Sequence, residues 1–155
     1  MQNYLLGLML VMISIVGFAA DEKTAIYKAS TVKPMEETYT ELYQALERSR
    51  FYVIFVANIG KNLARNKDKW GEDYNRNAFE AVKSMVICNP YFANQLLNLD
   101  PDMMALCPMT VTLLHKQGIT TILFEKLMPV ASGSPAEDVL WEVETTVITA
   151  IESVL

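Results

Sequence analysis

Residues 85–111, MVICNPYFANQLLNLDPDMMALCPMTV, constrain the fold most. An apolar, β-branched run ends at Cys88 and is cut off by Asn89-Pro90. Asn is a favoured helix N-cap, and Pro suits the first helical position, where its missing N–H costs nothing. Phe92, Leu96, Leu97 and Leu99 then supply an apolar helix face, and Asn98 and Asp100-Pro101 stop the helix after about ten residues. A second strand-like run follows from Pro108. One short helix thus joins two strands, and the rest of the chain has to build a sheet around them.

The flanking sequence does so. Residues 25–32 (AIYKASTV) read as a strand ended by Lys33-Pro34. From Met35 the apolar positions Met35, Tyr39, Leu42, Tyr43 and Leu46 keep helical spacing, with Glu36 and Glu37 in the first turn and Arg48 and Arg50 near the end, as the helix dipole favours. Residues 51–59 (FYVIFVANI) are apolar almost throughout and read as a strand buried on both faces, ended by Gly60. Residues 61–77 are the most polar segment, expected as a short helix and an exposed loop; Trp70 and Tyr74 either pin this insertion or form a lid over a ligand.

A third strand starts near Ala81 and runs to Cys88. Thr110 and Thr112 alternate with Val111 and Leu113 in a half-buried strand, and Lys116-Gln117-Gly118 turns it into a hairpin partner over residues 119–127. A loop follows at Pro129 and Ser132-Gly133. Ser134-Pro135-Ala136-Glu137 has the form of a capping box with Pro at the first helical position. The face Val139, Leu140, Val143, Val147, Ile151 and Val154 then continues for five turns, with Trp141 off the stripe. The order β-α-β-(α)-β-α-β-β-α predicts an α+β two-layer sandwich, a mostly antiparallel sheet with helices on one face.

Residues 1–20 are set apart. Positions 4–18 form an uncharged apolar run of 15 residues, short of the roughly 20 that a spanning helix needs. Small residues and then Asp21-Glu22-Lys23 follow. Although Met1-Gln2-Asn3 carries no Lys or Arg, this reads as a cleavable signal over residues 1–19, leaving one domain at residues 20–155 in the periplasm or outside the cell. Membrane attachment is expected only if the leader is retained. The net charge of −5 argues against nucleic acid as a partner, because phosphate binding needs a basic face.

At Cys88-Asn89-Pro90 and the following Leu99-Asp100-Pro101, together with the preceding stretch Glu37-Thr38, Leu42, Leu46 and Phe51, the chain resembles domain of unknown function family 302 over residues 25–155. The resemblance implies an α+β fold like that of the TATA-box-binding protein, of β-α-β4-α order, with the polar residues 61–77 as an insertion. Fold alone carries no DNA binding, and the resemblance implies no activity and no catalytic residues.

The candidate chemistry lies at Cys88, Asn89, Pro90, Cys107 and Met109. Two cysteines in an exported chain commonly pair, so a Cys88–Cys107 disulfide is one reading and free thiols are another. A third is a soft-metal site, since Met103, Met104, Cys107 and Met109 cluster with Met85 and Cys88 nearby, and thioether and thiolate ligands select Cu(I). His115, the single histidine, lies up to roughly 26 Å along the strand from Cys107 and is expected at a wet strand end. There is no Cys-x-x-Cys-His, no evident Cys–His pair and no Gly-rich phosphate loop. No cofactor can be named. The leading expectation is a non-enzymatic domain that binds a small ligand, a soft metal or a protein partner around residues 88–109. A homodimeric scaffold, using a sheet edge or the Trp141 side of the last helix, is the alternative. A thiol-redox enzyme comes third and requires a thiol of lowered pKa.

Overall fold

The structure, a computed structural model, describes residues 25–155. The leader read at residues 1–19 lies outside the described residues. In chain order the elements are Ile26–Thr31 (β1), Met35–Arg48 (α1), Tyr52–Ala57 (β2), Ile59–Ala64 (α2), Lys67–Trp70 (α3), Ala81–Cys88 (β3), Pro90–Leu99 (α4), Met109–Lys116 (β4), Ile119–Glu125 (β5), Met128–Ala131 (α5) and Glu137–Glu152 (α6). Short 3-10 turns lie at Gly71–Asp73 and Pro101–Leu106. The five strands form one sheet in the order β1-β5-β4-β3-β2, every pair antiparallel. The fold is therefore the expected α+β two-layer arrangement.

Side-chain alternation makes the layers. Met85, Ile87, Val111, Leu113, Ile122 and Phe124 point to one face and are almost wholly buried. Leu42 and Leu46 of α1 and Leu140, Val143, Val147 and Ile151 of α6 close over them. The buried line of α1 is Met35, Thr38, Leu42, Ala45 and Leu46, with Tyr39 and Tyr43 only partly covered. Thr38 fits inside because its hydroxyl donates to Pro34 O (3.0 Å), which satisfies it within the helix. Gln117 (φ 51) and Gly118 (φ 75) make the two-residue β4–β5 turn, a pair of positive φ values that matches strand twist.

Four local expectations need correction. The apolar run at residues 51–59 is not a strand buried on both faces. It forms β2, paired only with β3 in the sheet, and Tyr52, Ile54, Phe55 and Val56 are all exposed. The run ends at Ala57, not Gly60; the Asn58 side chain accepts from Lys61 N–H (2.9 Å) and opens α2. Gly60 belongs to that helix and permits its close approach to β3, since a Cβ there would sit 3.2 Å from Val82 N. Leu97 and Leu99 are exposed, because α4 meets the core only along Phe92 and Leu96, one turn apart, and Leu97 stands about 100° away. The capping box is displaced as well. Helix α6 starts at Glu137, its N-cap Ala136 has no side-chain cap, and Ser134 Oγ accepts from Ala136 N–H (3.0 Å) while Glu137 accepts from Gly133 N–H (2.8 Å). The segment expected as a loop at Pro129 contains the short helix α5.

Candidate functional site

The 88–109 segment folds as its punctuation dictates. Asn89 is buried, and its side-chain oxygen accepts from Tyr91 N–H (2.9 Å) and Phe92 N–H (3.3 Å), so it caps α4. Pro90 is the first helical residue and is exposed. Asp100 ends the helix and caps the next turn by accepting from Asp102 N–H (3.2 Å); its other oxygen accepts from the Ser134 hydroxyl (2.6 Å), tying this turn to the start of α6. Phe92 stacks on Phe51 with ring centroids 5.9 Å apart, anchoring α4 to the entry of β2.

The register of β3 against β4 carries Ile87 opposite Met109. It therefore brings Cys88 and Cys107 together, with their Sγ atoms 3.8 Å apart and both side chains half-buried. The Cys107-Pro108 peptide is cis. The Cys107 thiol is pushed up to about 11, first by burial and then by its Cys88 neighbour. Met109 is a core side chain, whereas Met103 and Met104 are partly buried against the core. Among the described residues no group of three or more His, Cys, Asp or Glu is placed to hold a metal ion. The void beside Asn89, Phe92, Cys107 and Met109 measures about 10 Å³, room for one water at most.

His115 is drier than a strand end suggests, at 15% exposure. Its Nδ1 lies 2.9 Å from Thr120 Oγ1, opposite it in the hairpin, and its Nε2 lies 3.7 Å from Glu80. It takes part in this hydrogen-bonded corner, remote from the cysteines along the strand. A cleft of about 370 Å³ lies elsewhere, between α2, Tyr74 and the start of β3. Its Lys83 is already held by Glu36 (2.6 and 2.8 Å) and by the Tyr39 ring, and Glu80 by Gln117 N–H. Trp70 is not among the residues lining that cleft.

Sequence reasoning missed two carboxylates that organise the backbone. Glu144 accepts from both Leu127 N–H (2.5 Å) and Met128 N–H (2.9 Å), fixing the exit from β5. Glu47 accepts from Val53 N–H (2.9 Å) in the edge strand β2. Glu47 gave a weak signal, a carboxylate just before a strand; Glu144 gave none.

The second missed feature is the face of the sheet opposite the helices. Pairing places Tyr52 beside Cys88 and Phe55 beside Val86 on this face, with Ile54 as the extra residue of a bulge. Thr112, Leu114 and Leu123 continue it. Phe55 is 62% exposed and Tyr52 47%. Two cross-strand hydroxyl pairs lie here: Ser84 is 2.9 Å from Thr112, and Ser30 3.0 Å from Thr121. Lys28, Glu125 and Lys116 lie toward the far edge and strand ends.

The family model for "Domain of unknown function DUF302" matches residues 26–154. The fold is also that of a solved structure, described as an uncharacterized conserved protein DUF302 from Bacillus stearothermophilus. The two share 19% identity with a TM-score of 0.71, over 84% of this chain and 98% of that one. No curated protein matches. With the fold in place and most of the chain matched, this protein belongs to the DUF302 family of domains of unknown function.

Proposed function

We propose that this is an exported, non-enzymatic interaction domain that pairs with a second copy of itself through the open face of its sheet. The observation that carries the reading is the exposed apolar surface of Tyr52 and Phe55, continued by Val86, Leu114 and Leu123. Contiguous exposed apolar patches on a folded domain mark interaction sites. The export element rests on the uncharged apolar run of residues 4–18 and the small residues after it.

Three features favour a second copy as the occupant. Over β2, β3 and β4 this face carries Tyr52, Phe55, Ser84, Val86, Cys88, Thr110, Thr112 and Leu114, and charge enters at its margin with Lys116, Lys28 and Glu125. A twofold contact of like surfaces therefore brings no like charges to its centre, despite the net charge of −5. The cross-strand pairs Ser84–Thr112 and Ser30–Thr121 keep their hydroxyls hydrogen-bonded when the face is covered. The area reaches the needed size when the margin is included: five strands about 4.8 Å apart and about six residues of roughly 3.3 Å give about 480 Å² per protomer, or roughly 1,000 Å² for the pair, the lower bound for a specific interface. Pairing edge to edge through β2 is disfavoured, because Glu47 already occupies the Val53 N–H.

A small ligand at residues 88–109 is less well supported, since the void beside Asn89 and Cys107 is about 10 Å³ and the cleft along Ala105, Leu106, Pro108 and Met109 about 150 Å³, below the roughly 300 Å³ at which ligand pockets begin. A thiol enzyme needs a lowered thiol pKa, and that of Cys107 is raised.

Light scattering on the purified protein tests the reading. A concentration-dependent dimer is expected, and Phe55→Glu, which places a charge on an already exposed position, should return it to monomer, with a melting temperature equal to that of the parent at dilutions where the parent is itself monomeric. A monomer at submillimolar concentration, or a dimer indifferent to Phe55→Glu, would reject it.

A further inference from the structure

We infer that Cys88 and Cys107 form a reversible intrachain dithiol–disulfide pair whose oxidation locks the excursion of residues 89–106 onto the sheet. The sulfurs are 3.8 Å apart, with Cys88 the last residue of β3 and Cys107 just ahead of β4. A disulfide bond is about 2.05 Å long, so the sulfurs have to approach by under 2 Å, within the reach of side-chain rotation. The strands on either side are hydrogen-bonded in register, so no backbone search is needed.

The excursion gives the bond a consequence. Between the two cysteines the chain leaves the sheet, forms α4 and the Pro101–Leu106 turn, and returns. It is held to the core by Phe92, Leu96, Met103, Met104 and Leu106 and by the Ser134–Asp100 hydrogen bond, while Tyr91, Leu97 and Leu99 face outward. Closing a loop of about twenty residues removes much of the freedom of the opened and unfolded states.

The chemistry balances with an external disulfide as oxidant. One cysteine loses its proton, and its sulfur attacks a sulfur of the external disulfide, forming a mixed disulfide and expelling one thiolate. The second cysteine loses its proton and attacks the protein sulfur of that mixed disulfide, expelling the second thiolate. The two expelled thiolates take up the two protons. The cysteine pair has then lost two electrons, and the external disulfide has become two thiols.

The test uses the reduced protein, equilibrated in glutathione redox buffers, quenched with an alkylating agent and weighed intact. Under oxidising buffer an unalkylated monomer lighter by two hydrogens should accumulate. Its melting temperature should rise on the order of 10 °C over the reduced form and return on reduction. Cys88→Ser and Cys107→Ser should each lose this response. Two thiols still alkylatable after equilibration, cross-links only between chains, or a bonded monomer with no gain in melting temperature would each overturn the inference.

Discussion

Replacing Asn89 by Ala tests whether this residue serves the fold through its cap. The side chain is buried and accepts from two backbone donors, Tyr91 N–H and Phe92 N–H. Alanine removes the one oxygen that serves both donors, at a place that water reaches poorly. Loss of an N-cap costs about 1–2 kcal/mol, and stranded buried donors bring the cost toward the upper value. For about 130 ordered residues the unfolding entropy is roughly 270 cal/mol/K. A loss of about 1.5 kcal/mol therefore lowers the melting temperature by about 5–6 °C. Thermal unfolding followed by circular dichroism at 222 nm, or by calorimetry, measures this. Asn89→Asp supplies the control, since it keeps an acceptor in place and adds a negative charge at a helix N-terminus, so it should recover most of the loss. An alanine variant melting within about 1 °C of the parent would refute the reasoning, because two buried hydrogen bonds would then contribute nothing.

Two further expectations follow from other groups. Stability should fall as pH rises from 9 to 12. The Cys107 thiol is raised from 9.0 to about 11, and the Tyr27 hydroxyl from 10.0 to about 12, the latter by burial first and then by the Glu152 carboxylate to which it donates. In that window the unfolded chain releases protons that the folded protein keeps, so alkali favours unfolding; below pH 9 the contribution is fully present. Urea titrations across the window check this, with Tyr27→Phe flattening the upper part and oxidation of the cysteines the lower; stability rising with pH would contradict it. Glu144→Ala should cost about 1–3 kcal/mol, because one carboxylate oxygen accepts from two backbone donors, and Glu144→Gln should recover part of it; an alanine variant as stable as the parent in urea would contradict this role.

Features set by neighbours in the chain were legible, and those set by distant partners were not. The Asn89-Pro90 helix start, the alternation of Thr110, Val111, Thr112 and Leu113, and the stripe from Leu140 to Ile151 each express local geometry, and each stands where expected. Residues 52–57 look the same whether a strand lies at the centre of a sheet or at its edge; only the order β1-β5-β4-β3-β2 decides, and it leaves Phe55 facing outward. Ser134 was misplaced for a related reason: its hydroxyl donates to Asp100, 34 positions away, while accepting from Ala136. Glu144 was invisible, because its partners are backbone N–H groups on a turn 16 and 17 residues earlier. The proximity of Cys88 and Cys107 was foreseeable, since a helix that leaves one strand and re-enters its antiparallel neighbour returns the chain to its starting point. Helices on one face implied an open opposite face, but which side chains line it together followed only from the strand order and register.

The most direct test of the proposed self-association is hydroxyl-radical footprinting of Tyr52 and Phe55 across a dilution series, read beside the solution mass. Both side chains are largely exposed in the single chain. Oxidation of the two should fall together as the mass doubles, while exposed Trp141 on the opposite layer keeps a constant rate. Rates at Tyr52 and Phe55 that stay constant while the mass doubles would place the contact elsewhere, and a mass that never doubles would remove it.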